Sequence, residues 1–137
     1  MSLPTIDNPL TPKQAAQMSP LALAYIGDSV HTLYVRTSLS ISTGCKPNQL
    51  HTAVSNMVKA SAQARKMQEI LPLLTQEEEE IFHRGRNAKV HTIAKNASVA
   101  DYKQATGLEC LIGYLYLVGN SKRIEELLNI GGENGTS

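Results

Sequence analysis

The 137 residues of this chain suffice for one folded domain, and 42% hydrophobic with 18% charged residues is typical of a globular protein. A net charge of +1 excludes a polycation, so any contact with nucleic acid must come from a local basic patch. No apolar run is long enough to cross a bilayer and the N-terminus lacks a signal-peptide pattern, so we expect a cytoplasmic protein without membrane contact.

The first predicted helix follows a proline-containing lead-in over residues 1–18. Ser19 and Pro20 are a typical helix start, because the serine oxygen caps a backbone N–H and proline suits the first helical position. We expect the helix to run from Pro20 to about Ser40. Its residues are apolar nearly all round, which predicts a central, mostly buried helix.

The middle of the chain is predicted to contain two helices and a loop. Apolar and small residues at helical spacing predict one continuous helix from Asn48 to about Leu71. Thr75 and Glu78 form a capping-box pattern at the start of the next helix. Gly85 favours a chain break, so we expect a loop over residues 83–95.

The last part of the chain is predicted to be helical as well. Ser98 is placed to cap a long apolar helix that continues to about Gly119, and a short helix follows to about Ile130. The tail over residues 131–137 is expected to be disordered. Because strand-like alternation is lacking, we expect an all-α domain over residues 19–130 with about six to seven helices.

Two of these helices share an anomaly, since each carries a glycine and an acid within an apolar run. Gly27 precedes Asp28 in the first, and Gly113 follows Glu109 by one turn in the second. Glycine costs about 1 kcal/mol relative to alanine inside a helix, and a buried carboxylate needs a partner, a proton or a metal. Because glycine removes side-chain bulk, the two pairs predict a close helix crossing at which the acids face each other.

Facing carboxylates without a nucleophilic Ser/His or Cys/His set favour a bound Mg²⁺ or Mn²⁺ over covalent catalysis. Asp28 and Glu109 are therefore the candidate metal ligands and catalytic residues. The alternative is that both acids are structural, each satisfied by hydrogen bonds or by a basic side chain. His31, one turn after Asp28, is either an outer partner of the metal site or a packed histidine.

Four cations gather in the stretch HRGRNAKVHTIAK, which contains no acid: Arg84, Arg86, Lys89 and Lys95. They either contact the phosphates of an RNA backbone or belong to a solvated loop. The chain has five tyrosines, one phenylalanine and no tryptophan to stack on bases. Recognition through shape, 2′-hydroxyls and phosphates, as for double-stranded RNA, suits that composition.

The run AYIGDSV resembles the signature of the ribonuclease III catalytic domain, E-F-L-G-D-[AS]-V. TGLECLIGYLYL resembles the second motif of that family, D-A-x-E-A-[LF]-[IL]-G-A-[IL]-[YF]-L. Ala24 and Thr106 stand where the family has two further acids. These departures, the short chain and the stretch RGRNAK resemble the subgroup called Mini-ribonuclease III, which lacks a double-stranded-RNA-binding domain.

The resemblance implies a helical bundle like the ribonuclease III endonuclease domain. It also implies an endoribonuclease that uses Mg²⁺, with Mn²⁺ as a substitute, through Asp28 and Glu109. The expected reaction is cleavage of double-stranded or structured RNA to 5′-phosphate ends, with precursor large-subunit (23S) ribosomal RNA as substrate. Expected partners are a second copy of the chain, in a symmetric homodimer, and a ribosomal protein or pre-ribosomal particle. Since the site has half the acids of the family, we expect one firmly held ion and a second recruited by the RNA phosphate.

Two other functions fit the same residues. The missing acids at Ala24 and Thr106 fit a degenerate domain that binds RNA or a ribosomal particle as a structural module without cutting it. An all-α metal-dependent hydrolase of small phosphorylated molecules would also use Asp28 and Glu109. Such an enzyme would turn over nucleotides and show little salt-sensitive affinity for RNA.

Overall fold

The computed structural model describes residues 7–44, 46–89 and 98–129, which form seven α-helices and one short 3₁₀ helix. The elements in chain order are α1 (Pro12–Ala16), α2 (Pro20–Thr43), α3 (Pro47–Val58), α4 (Ala60–Ile70), the 3₁₀ helix (Leu71–Leu73), α5 (Gln76–Arg86), α6 (Val99–Leu117) and α7 (Ser121–Asn129). The all-α prediction is confirmed. Within these ranges no helix has the length and hydropathy needed to cross a membrane. The tail that was predicted to be disordered, 131–137, lies outside the described residues.

The centre of the fold is α6, which packs against α2, α4, α5 and α7 and also contacts α1. Its side chains Leu108, Leu111 and Ile112 are fully buried. By contrast, α2 leaves four large apolar side chains exposed: Leu21, Tyr25, Leu33 and Ile41. The helix α2 packs against α6, α3 and α5, but the prediction that it is mostly buried was wrong. An apolar pattern on all sides does not tell which of two such helices the other elements cover.

The helix starts follow the local chemistry that the sequence indicates. The Ser19 hydroxyl accepts a hydrogen bond from the third helical N–H of α2. Thr75 and Glu78 form both bonds of a capping box at the start of α5, at 2.9 and 3.1 Å. Ser98 caps α6 in the same way as Ser19 caps α2. These predicted starts are confirmed.

The single helix predicted over 48–71 is two helices in the structure, α3 and α4, separated at Lys59. Lys59 has an extended backbone, with φ −66° and ψ 158°. In a continuous helix the carbonyl of Val58 would accept from the N–H four residues later. Here it accepts from the side-chain Nε2 of Gln63 at 2.7 Å instead. The break thus depends on a side chain of the following helix, which helical periodicity does not reveal.

The helix α5 continues through Arg86, past the loop start predicted at His83. Gly85 lies inside this helix and faces α6. A Cβ at that position would come within 2.5 Å of the Cys110 Cβ and 3.0 Å of the Gly107 Cα. Gly85 therefore allows two helices to touch instead of ending one, and the predicted loop was wrong over its first residues. Residues 90–95 of that loop lie outside the described part of the chain.

The lead-in packs on the body of the domain. The backbone N–H of Leu10 donates to the Leu117 carbonyl at 2.8 Å, and Ala15 of α1 is fully buried. Arg84 of α5 donates from Nη1 to the Ala16 carbonyl at 2.8 Å and from Nη2 to the Met18 carbonyl at 3.0 Å. The lead-in is thereby joined to α6 at one end and to α5 at the other.

Candidate active site

Two glycines bring α2 and α6 into backbone contact. A Cβ on Gly27 would overlap the carbonyl oxygen of Glu109 and would lie 2.9 Å from the Gly113 nitrogen. A Cβ on Gly113 would in turn overlap the carbonyl oxygen of Leu23. Any larger residue at either position would push the helices apart, because the obstructing atoms belong to backbone. The predicted glycine crossing is confirmed.

The carboxyl groups of Asp28 and Glu109 meet beside this crossing. Asp28 is exposed, whereas Glu109 is half-buried. Burial raises the pKa of Glu109 to about 8 against an opposing hydrogen bond from Gln63, and the charge of Asp28 raises it further. The Asp28 carboxyl group lies within hydrogen-bonding reach of the Glu109 carboxyl group, and this contact also raises the pKa of Glu109. Two acids from distant parts of the sequence therefore lie side by side, and Glu109 keeps its proton near pH 7.

This pair has the chemistry of a site for a hard divalent cation. Two carboxylates at hydrogen-bond distance keep a proton between them unless a cation offsets their repulsion. Their oxygens are the ligands that Mg²⁺ and Mn²⁺ prefer, so Asp28 and Glu109 fit such an ion. Residues 7–44, 46–89 and 98–129 contain no group of three or more His, Cys, Asp or Glu side chains placed to hold a metal. Oxygens of water or substrate must then complete the coordination shell.

Gln63 of α4 is a site residue that the sequence analysis missed. It is 3% exposed, and its Nε2 donates to the Glu109 Oε2 at 3.2 Å. The sequence does contain a sign of its role. Gln63 lies on the same helix face as Ala60 and Met67, where the helical spacing predicts a small or apolar residue. A buried polar side chain on such a stripe needs a hydrogen-bond partner, and here the partner is the candidate metal ligand.

His31 is 5% exposed, and its Nδ1 has no hydrogen-bond partner among the residues that the structure describes. Burial lowers its pKa to about 4; the charge of Asp28 opposes this shift and that of Lys66 adds to it. The imidazole is therefore neutral near pH 7 and lies within the electrostatic reach of Asp28. Its role as an outer partner of a metal site stays a prediction.

The predicted RNA-contacting cations differ in their surroundings. Arg84 is exposed, and two of its N–H groups donate to the backbone carbonyls of Ala16 and Met18. Arg86 is half-buried and Lys89 is exposed, while Lys95 lies outside the described residues. Their contact with phosphates stays a prediction as well.

A groove of about 500 Å³ lies away from the two acids, between α2, α3 and α7. Leu33, Met57 and Leu128 are among its lining residues, and neither Asp28 nor Glu109 belongs to it. These largely apolar walls suit packing better than the handling of phosphates.

The stretch that contains both acids, residues 21–120, matches the family model described as Ribonuclease III domain. The chain belongs to the ribonuclease III family. A protein of Enterococcus faecalis named Mini-ribonuclease 3 is 50% identical over 115 residues, which cover 82% of this chain and 87% of the relative. A Clostridium tetani protein of the same name is 46% identical over 121 residues, which cover 88% and 80%. A crystal structure of a Fusobacterium nucleatum protein matches with a TM-score of 0.75 at 31% identity, over 82% of this chain and 90% of that one.

Membership of the ribonuclease III family confirms the resemblance and makes the chain an endoribonuclease. The family and its Mini-ribonuclease III relatives favour this activity over the non-catalytic module and over the hydrolase of small phosphorylated molecules. The fold expected from the resemblance, a helical bundle of the ribonuclease III type, is confirmed too.

The structure also shows what replaces the two further acids of the ribonuclease III motifs. Ala24 and Thr106 are both 6% exposed, so neither position faces solvent. The Thr106 hydroxyl donates to the Tyr102 carbonyl of its own helix at 2.9 Å. This ribonuclease III domain therefore offers two carboxylates at the crossing and no others from its motifs.

Proposed function

We propose that this endoribonuclease cleaves double-stranded or structured RNA with Mg²⁺ as cofactor and Mn²⁺ as a substitute, and that Asp28 and Glu109 bind the cation. The observation that supports this most is the contact between their carboxyl groups at the glycine crossing. Bringing two carboxylates together costs free energy, because like charges repel. A divalent cation between them removes that cost.

The two acids have different parts in this proposal. When bound, the cation supplies Lewis acidity at the scissile phosphate and favours deprotonation of the attacking water. Asp28 is exposed and faces the side from which RNA can approach, whereas Glu109 anchors the cation from within, held by Gln63. Because acids are missing at 24 and 106, we propose one firmly held ion, with a second recruited together with the RNA phosphate.

We assign the contacts with the phosphates of the RNA backbone to four basic residues: Arg84, Arg86, Lys89 and Lys95. Arg84 has five N–H donors, of which the two lead-in carbonyls engage two, so three remain for phosphate oxygens. With a net charge of only +1, the chain attracts RNA through this local patch, and binding should weaken with salt. Phosphate contacts of this kind suit recognition of a duplex by its shape.

We further propose a symmetric homodimer. Its support is the apolar surface of α2, where Tyr25 is 82% exposed and Leu33 is 61% exposed. A two-fold interface covers the same patch on both copies and removes it from water. A Tyr25→Glu change should then shift the protein toward monomer in sedimentation experiments. A chain that is monomeric without this change overturns the dimer but not the nuclease.

The biological substrate is proposed from the resemblance to the Mini-ribonuclease III subgroup. It is the precursor of 23S ribosomal RNA, cut in the cytoplasm to leave 5′-phosphate ends. A ribosomal protein or a pre-ribosomal particle is the partner that would present it. Mapping the cut sites on precursor and on unrelated duplex RNA tests this point separately from the chemistry.

The cation site is tested by cleavage of a long duplex RNA by the unaltered protein, Asp28→Asn and Glu109→Gln. Each change should lower the rate at subsaturating Mg²⁺ by at least about 100-fold, because losing only an outer partner of a metal ligand already costs about 10- to 100-fold. Asp101→Asn and Glu77→Gln are matched controls, because these acids lie at helix starts outside the crossing, and they should leave the rate unchanged. Undiminished cutting by either site variant removes that residue from the mechanism. Duplex binding without cleavage at any Mg²⁺ or Mn²⁺ concentration overturns the proposed chemistry.

A further inference from the structure

Gln63 connects the candidate cation site to the junction between α3 and α4. Its side-chain NH₂ group donates one hydrogen bond to the Val58 carbonyl at 2.7 Å and one to the Glu109 Oε2 at 3.2 Å. A flipped amide would place its oxygen 2.7 Å from the Val58 carbonyl oxygen, which can only accept, so hydrogen bonding fixes the orientation. Both hydrogens of Nε2 are thus committed, one to the backbone and one to a candidate ligand.

The amide oxygen of the same side chain has no partner. Gln63 Oε1 is buried and accepts no hydrogen bond from any described residue. A buried acceptor without a donor is costly, and native structures keep few of them. Because Oε1 and Nε2 are bonded to the same carbon, this acceptor lies in the immediate surroundings of Glu109. It suits a donor that arrives with the ligand, such as a water of a hydrated cation.

We propose that Gln63 is a positioning residue of the cation site, which holds the Glu109 carboxylate toward Asp28 and thereby sets the affinity for the divalent ion. This inference rests on the proposed function of the two acids. In a site with only two carboxylates, an amide that fixes one of them limits the orientations it can adopt before the cation binds. Gln63 belongs to neither of the two family motifs, and it acts through Glu109.

The rival explanation is that Gln63 only caps α3. A pure cap stabilises the fold through the Val58 carbonyl and has no effect on the cation. Gln63→Met separates the two roles, because methionine has a similar volume and tolerates burial but donates no hydrogen bond. The control is Arg123→Met, which removes the 2.8 Å ion pair between α7 and Glu78 of α5 and does not touch the crossing.

The first measurement is Mn²⁺ binding by electron paramagnetic resonance, without RNA, on variants whose helical circular dichroism matches that of the parent. Gln63→Met should bind Mn²⁺ about tenfold more weakly, the usual effect of losing an outer partner of a metal ligand. Arg123→Met should lower the unfolding midpoint and keep the parental affinity. In cleavage assays Gln63→Met should need more Mg²⁺ for half-maximal rate at an unchanged KM for RNA. A folded Gln63→Met with parental Mn²⁺ affinity overturns the positioning role.

A second measurement does not require any change at Gln63. In Glu109→Ala, one of the two side-chain amide hydrogens of Gln63 should exchange with solvent faster, while the hydrogen on the Val58 carbonyl stays protected. Unchanged exchange of both hydrogens overturns the inference. A parent protein that binds no Mn²⁺ overturns the proposed function, and the inference with it. If the parent protein and Gln63→Met bind Mn²⁺ equally tightly, the inference is overturned but the proposed function is not.

Discussion

Gly27 lies where the backbones of α2 and α6 touch, so Gly27→Ala tests the helix crossing directly. The new Cβ would overlap the Glu109 carbonyl oxygen and lie 2.6 Å from its carbonyl carbon. Both obstructing atoms are backbone, so no side chain can rotate away. The helices must separate by about 2 Å before the contact becomes an ordinary van der Waals distance.

The expected stability change of Gly27→Ala combines two opposing effects. Alanine favours the helix by about 1 kcal/mol over glycine, and overpacking of a close contact costs about 3 kcal/mol at the upper end of its usual range. The net loss is about 2 kcal/mol, which lowers Tm by about 5 to 10 °C for a domain of this size. The same separation moves Asp28 away from Glu109, and a displacement of about 1 Å at a reacting centre costs about 100-fold in rate.

The assay is urea unfolding followed by circular dichroism, together with Mn²⁺ binding and duplex cleavage. Gly44→Ala is the control, because Gly44 ends α2 with φ +63° and a Cβ there would meet nothing within 4 Å. Its left-handed backbone costs alanine about 1 kcal/mol, with no effect on the cation site. If Gly27→Ala keeps both the parental stability and the parental Mn²⁺ affinity, the helices do not cross as described.

Two further predictions concern pH and salt. In the cation-free protein Glu109 keeps its proton up to about pH 8, whereas the unfolded chain releases it near 4.5. Buried His31, whose pKa is lowered from 6.5 to about 4, adds an opposite slope below about pH 6.5. Between about pH 6.5 and 8 the free energy of unfolding should therefore fall as pH rises, and Mn²⁺ affinity should rise, while Glu109→Gln removes both slopes. In anisotropy titrations with duplex RNA, Arg86→Gln and Lys89→Gln should each reduce the slope of log affinity against log salt by about one unit. Lys46→Gln, at the start of α3, should leave the slope unchanged; equal slopes for all three variants would exclude the basic segment from RNA contact.

Features whose cause is local could be predicted from the sequence. Ser19 and Ser98 cap their helices with their own hydroxyl groups, so the residues alone carry the signal. The meeting of Asp28 and Glu109 was also predictable, because each acid has a glycine nearby in a helix that otherwise has no use for one. A glycine and an acid are each unfavourable inside an apolar helix. Because two helices both carry this pair, a contact between the two helices is the best explanation.

Features whose cause is tertiary could not be predicted. The break at Lys59 has no proline or glycine to signal it, and it is stabilised by Gln63 from the next helix. Gln63 was missed as a site residue for the same reason, since its role appears only when α4 lies against α6. Gly85 was predicted to lie in a loop because glycine is common just after the end of a helix. Only the presence of Gly107 opposite it shows that Gly85 lets two helices touch instead.

The two acids differ in how firmly the fold holds them. On α6, Glu109 lies between two glycine contacts, one at Gly107 against α5 and one at Gly113 against α2. Its helix is thus fixed from two sides, and Gln63 of α4 fixes the carboxyl group from a third. Asp28 has an exposed side chain, and the structure gives its carboxyl group no counterpart to the hydrogen bond from Gln63 among the described residues. Changes that loosen α2 should therefore weaken cation binding through Asp28, while Glu109 keeps its position and the part of its raised pKa that burial causes.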